Sequence, residues 1–117
     1  MVAVLIAALT LAGPPRAYVA APAGNVPLVI SSWCWGTRCG APITAAKRVA
    51  VLPRNSTLRI VLKFAPTQVR LAVAGTPVTP AVAGDQISWQ ATHGGGITLT
   101  VHSRSGWVTY VGRLRTT

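Results

Sequence analysis

The sequence predicts an all-β protein, an antiparallel immunoglobulin-like β-sandwich of about seven strands. Three observations carry that expectation. Nine prolines and eleven glycines interrupt a chain that is half apolar, which suits short strands joined by turns. Large apolar residues recur at every second position in residues 57–64, 69–74 and 97–102, the period of strands with one buried face. Finally, 117 residues are enough for one ordinary domain and too few for two.

Residues 2–12 form an unbroken apolar run. As a helix rising ~1.5 Å per residue it covers about half of a ~30 Å hydrocarbon core, so it fits the h-region of a signal peptide better than a membrane span. The first cation, Arg16, follows this run. Cleavage is expected after Ala21 or, because Pro22 would follow that cut, after Ala23. Residues 1–23 are accordingly read as a signal or apolar segment and residues 24–117 as the sandwich. Residues 18–25 read as a flexible approach.

Residues 26–33 are the first strand candidate, with Pro27 placing it at a strand start or sheet edge. Next comes Trp33-Cys34-Trp35-Gly36-Thr37-Arg38-Cys39, which holds both cysteines and two of the four tryptophans. Gly36 and Thr37 permit the turn that a Cys34–Cys39 disulfide needs. Alternation puts Trp33 and Trp35 on one face, opposite Cys34. Four intervening residues do not fit a redox pair, which needs two, and Cys34, Cys39, His93 and His102 match no common zinc spacing.

Residues 48–52 are a second strand, stopped by Pro53 and the turn Arg54-Asn55-Ser56. In residues 57–64, Leu58, Ile60, Leu62 and Phe64 share one face. A turn at Ala65-Pro66-Thr67-Gln68 then suggests a hairpin with Phe64 opposite Val69, Leu62 opposite Leu71 and Ile60 opposite Val73. That register also sets Lys63 opposite Arg70, unfavourable by a few tenths of a kcal/mol or more.

Residues 75–84 read as a long connection, and residues 86–91 as a strand with Ile87 and Trp89 inward. After the glycines at 94–96, Ile97, Leu99 and Val101 alternate with polar residues. A two-residue loop at Ser105-Gly106 pairs Val101 with Tyr110, Leu99 with Gly112 and Ile97 with Leu114. Arg104 then faces Trp107, where a cation–π contact is worth ~0.5–1 kcal/mol.

Eleven Lys and Arg residues stand against one acid, Asp85, for a formal charge of +10. Such an excess attracts polyanions, although GC-rich coding yields the same composition. The anion-binding candidates are Arg59, Lys63, Arg70, Arg104 and Arg113, with Arg59, Lys63 and Arg70 expected in one patch. The aromatic candidates are Trp33, Trp35 and Trp107. A single carboxylate excludes paired-acid catalysis, and no serine stands in a nucleophile elbow. No metal site, cofactor or enzymatic activity is expected. No reading helix or series of stacking aromatics supports specific nucleic-acid recognition.

Four segments together, Ser32-Trp33-Cys34-Trp35 with Cys39, residues 51–58, residues 64–69 and Gly106-Trp107-Val108-Thr109-Tyr110, resemble small secreted proteins and lipoproteins of Bacillus-type bacteria. Those proteins carry a similar Ser-x-Cys-Trp loop with a second cysteine nearby. The resemblance implies an extracytoplasmic β-sandwich and transfers no catalytic residue. The chain differs in lacking a lipid-attachment cysteine after its apolar run and in having almost no acids.

The expected role is a non-enzymatic, secreted or cell-envelope module that contacts an anionic polymer or another envelope protein. Membrane contact is expected only peripherally or through an uncleaved N-terminal segment. The alternatives are a basic nucleic-acid-binding protein and an accessory domain that modulates an enzyme.

Overall fold

The structure is a computed structural model, and it describes residues 13–40 and 48–117. Its strands are β1 (Tyr18–Ala21), β2 (Gly24–Pro27), β3 (Val29–Trp35), β4 (Arg38–Gly40), β5 (Val49–Leu52), β6 (Thr57–Val61), β7 (Gln68–Val73), β8 (Thr76–Val78), β9 (Ala81–Ala83), β10 (Gln86–Gln90), β11 (Gly95–Ser103) and β12 (Gly106–Thr116). They form a five-stranded sheet in the order β2-β1-β6-β10-β9 and a seven-stranded sheet in the order β4-β3-β12-β11-β7-β8. In the second sheet β5 pairs with β12, off that path and parallel to it.

The all-β sandwich expected from the alternation is what forms. Leu58, Ile60 and Leu62 meet Leu71, Val73, Leu99, Val101 and Tyr110 in a core from which water is excluded. Trp89, expected in that core, is half-buried at its margin. Neighbouring strands lie ~4.8 Å apart and successive side chains alternate faces, so one inward set per strand fills the space between the sheets.

Four local expectations are corrected. Residues 18–25 are not a flexible approach but the β1–β2 hairpin, and β1 also pairs with β6. Ala17 and Val19 are fully buried, and residues 22–23 form the β1–β2 turn. The start of the expected leader, residues 1–12, lies outside the described residues, as does Lys47.

Secondly, β6 and β7 do not form a hairpin. The neighbours of β6 are β1 and β10, and those of β7 are β11 and β8, so the connection between them crosses from one sheet to the other. A crossing strand faces its apolar side to the same core as a hairpin partner does, which is why alternation alone suggested the hairpin.

Thirdly, the β11–β12 turn is Arg104-Ser105, with Ser103 opposite Gly106 and Leu99 opposite Tyr110. Gly106 is a strand residue at φ +150°, where a Cβ would sit 2.0 Å from the Cys34 carbonyl oxygen. Its glycine serves the approach of β3, not the turn. The loop moves by one residue and the pairing by two, so the inward face is unchanged.

Lastly, the connection over residues 75–84 contains the two short edge strands β8 and β9.

Candidate anion-binding surface

Every described lysine and arginine is exposed, and among the described residues no charged side chain is buried. The fold scatters the expected candidates over both sheets and the two ends of β12. Arg59 lies on the outer face of the five-stranded sheet, between Ala20 and Ser88. Lys63 follows β6, its Nζ 5.9 Å from the centre of the Tyr18 ring. Arg70 lies on the outer face of the other sheet, opposite Thr100. Arg59 and Arg70 are therefore on opposite sides of the sandwich, and the single patch expected from Arg59, Lys63 and Arg70 does not form. Arg104 occupies the β11–β12 turn and Arg113 the far end of β12.

Arg113 is the candidate around which a cluster is built. In the parallel pairing of β12 with β5, Arg113 lies opposite Val49, Leu114 opposite Ala50 and Arg115 opposite Val51. Leu114, Ala50 and Leu52 point into the core and are nearly fully buried. Alternation then forces Arg113, Arg115, Val49 and Val51 outward together. Val49 and Val51 keep 45% and 39% of their surface exposed, which makes them two of the few large apolar side chains left in water among the described residues.

Arg48 and Arg54 stand beyond the two ends of β5, and the Arg54 backbone N–H donates to the Thr117 carbonyl at 3.1 Å. Two residues along a strand separate Arg113 from Arg115 by ~7 Å, within the ~8 Å Debye length of physiological salt. Two planar guanidinium forks carried on one strand face suit an oxyanion bound by two donors. Beside Arg113 is a depression of about 230 Å³, lined by Val49, Gly95, Gly96, Arg113, Leu114 and Arg115.

Arg48, Arg54 and Arg115 were not among the candidates drawn from the sequence. The signal that unites them is the parallel β5–β12 pairing, which joins segments some sixty residues apart and leaves no trace in local periodicity.

The sole acid, Asp85, sits exposed just before β10, and its carbonyl accepts the Leu62 N–H at 2.8 Å. That is the opposite end of β6 from Arg54, about 17 Å away along the strand and so about two Debye lengths. No acid side chain balances the Arg113/Arg115 corner at this end of β12, where Arg48 and Arg54 bound β5.

Cys34 and Cys39 face each other across β3 and β4 and are bonded. Trp33 and Trp35 turn inward against the core margin, as alternation requires, and Trp35 meets Phe64 edge-to-face at 5.1 Å. Trp107 is opposite Cys34 on one side and His102 on the other, so the expected facing of Arg104 and Trp107 is corrected. His93 packs edge-on to Trp89 at 5.5 Å. Among the described residues no three His, Cys, Asp or Glu side chains converge as metal ligands would.

Comparison of the chain with protein-family models, with curated proteins and with solved structures found no match.

Proposed function

We propose that this protein is a non-enzymatic, extracytoplasmic β-sandwich module that holds anionic cell-envelope material. The observation that carries the reading is the Arg113/Arg115 pair on β12, flanked by Arg48 and Arg54 with no acid side chain among them. Each like charge placed there raises the electrostatic energy of the folded chain, and a polyanion offsets it by displacing counterions. The Cys34–Cys39 disulfide supports an oxidising compartment, and the apolar run at residues 2–12 supports export.

The test is binding to a purified phosphodiester wall polymer as a function of salt. Wild-type affinity should fall steeply as salt rises, and the Arg113→Gln/Arg115→Gln variant should show a log–log slope shallower by about 1.4–1.8, at ~0.7–0.9 per lost phosphate contact. Equal affinity and slope for variant and wild type would remove the corner as the binding surface. Tighter binding to duplex DNA than to wall polymer at matched salt would favour the nucleic-acid alternative.

A further inference from the structure

The three consecutive glycines at the start of β11 are not equivalent. A Cβ on Gly94 would lie 2.5 Å from the Leu114 carbonyl oxygen, so backbone proximity excludes a side chain there. Gly95 has φ +140°, and a Cβ on it would lie 2.6 Å from that of Ala74. Packing and conformation account for both. Gly96 has neither reason. No atom lies within 4 Å of the position its Cβ would take, and its φ is not in the left-handed range.

Gly96 pairs directly with Arg113, and Ile97 beside it points into the core, so the missing side chain is missing from the outer face. A β-branched residue at this position would favour the strand; glycine weakens it. What glycine leaves instead is the floor of the depression bounded by Arg113, Arg115 and Val49.

We infer that Gly96 keeps open a seat for one phosphate group of a phosphodiester, held between Arg113 and Arg115. This inference rests on the proposed binding of anionic envelope material and names the group recognised. A carboxylate holds its two oxygens and their lone pairs in one plane, which matches a single planar guanidinium fork. A tetrahedral phosphate splays its non-bridging oxygens out of any one plane, which suits two long, flexible arginines whose Cα atoms are ~7 Å apart on one strand face. A space of about 230 Å³ admits the phosphate with its first attached carbons, and Val49 supplies an apolar wall for those carbons. A wall polymer and a phospholipid headgroup both offer this chemistry.

The test compares wild type with Gly96→Val and with Arg113→Gln/Arg115→Gln. Valine favours a strand and its Cβ meets no neighbour at this position, so Gly96→Val should fold, with a thermal midpoint equal to or above that of wild type. Titration with glycerol 3-phosphate, followed by the amide resonances of Gly95 and Gly96, should saturate in wild type. Gly96→Val should weaken it at least ~10-fold. Polyglutamate, which needs only the charge, should bind Gly96→Val within ~2-fold of wild type and the arginine variant much more weakly.

Poly(glycerol phosphate) and phosphatidylglycerol vesicles then separate the two sources. Loss of binding to either probe on Gly96→Val supports the seat and identifies which source is bound. Unchanged glycerol 3-phosphate affinity in Gly96→Val, or equal wild-type affinity for acetate, overturns the seat. The broader reading then stands if the arginine variant still loses polymer binding, and fails if it does not.

Discussion

At the scale of single residues, Tyr110 shows how a side chain placed by alternation acquires a second task. Its ring is fully buried between the sheets, and its hydroxyl donates to the Pro15 carbonyl, which ties the segment before β1 to the middle of β12. Burial pushes the phenol pKa well above its ordinary value of about 10. The folded state therefore favours the protonated phenol. This contribution is intact below pH 10, where the unfolded phenol is also protonated, and is lost as pH rises further, at up to ~1.4 kcal/mol per pH unit. Chemical denaturation at pH 9 and at pH 11 should show wild type losing stability over that interval and Tyr110→Phe losing markedly less. A parallel decline in both would show that the phenol is not responsible. Tyr110→Phe should itself cost about 0.5–1.5 kcal/mol at neutral pH by removing a part-buried hydrogen bond. The burial of Tyr110 was legible from alternation; its partner was not, because residues 13–17 carry no period that places them.

At the scale of elements, the sequence reveals strands more readily than their neighbours. The inward sets of β6, β7 and β11 follow from period two, and so do the inward tryptophans of β3. Between them, β3 carries a bulge that shifts its register against β12 at Thr109 and Tyr110. That extra residue lets Ile30 and Trp33, three apart, both point inward. The topology of β6 and β7 was not legible, since a hairpin and a sheet crossing share one apolar pattern. A signal was present all the same. The hairpin register put Lys63 against Arg70, and the observed fold, which separates them onto different sheets, avoids that repulsion. A double-mutant cycle on Lys63→Thr and Arg70→Thr should accordingly give a coupling energy within ~0.3 kcal/mol of zero, the behaviour of distant sites. A clearly positive coupling would restore the hairpin. The candidate site was only partly legible for the same reason. Arg113 is readable as the outward residue of a strand, but its neighbours Arg48, Arg54, Val49 and Val51 come with β5, and no local rule assigns a parallel partner sixty residues away.

At the scale of the whole molecule, charge and geometry act together. β12 spans about 30 Å from Gly106 to Arg115. The disulfide-bonded β3–β4 pair lies at one end of it and the arginine corner at the other. Asp85 lies towards the disulfide end, too far to screen the corner, so folding gathers cations that the extended chain keeps apart. Anions that bind the corner should then stabilise the folded state by mass action, by about 1.4 kcal/mol at ten times their dissociation constant. For a chain of this size that corresponds to a rise of several degrees in thermal midpoint. Phosphate should raise the midpoint of wild type more than chloride does at matched ionic strength. In the Arg113→Gln/Arg115→Gln variant the difference between the two salts should shrink, while the general screening seen in chloride persists. Equal midpoints in phosphate and chloride for wild type would mean that the corner repels without binding. A phosphate effect that survives in the variant would assign the anion to cations elsewhere, with Arg59 and Arg70 on the two outer faces the first to substitute.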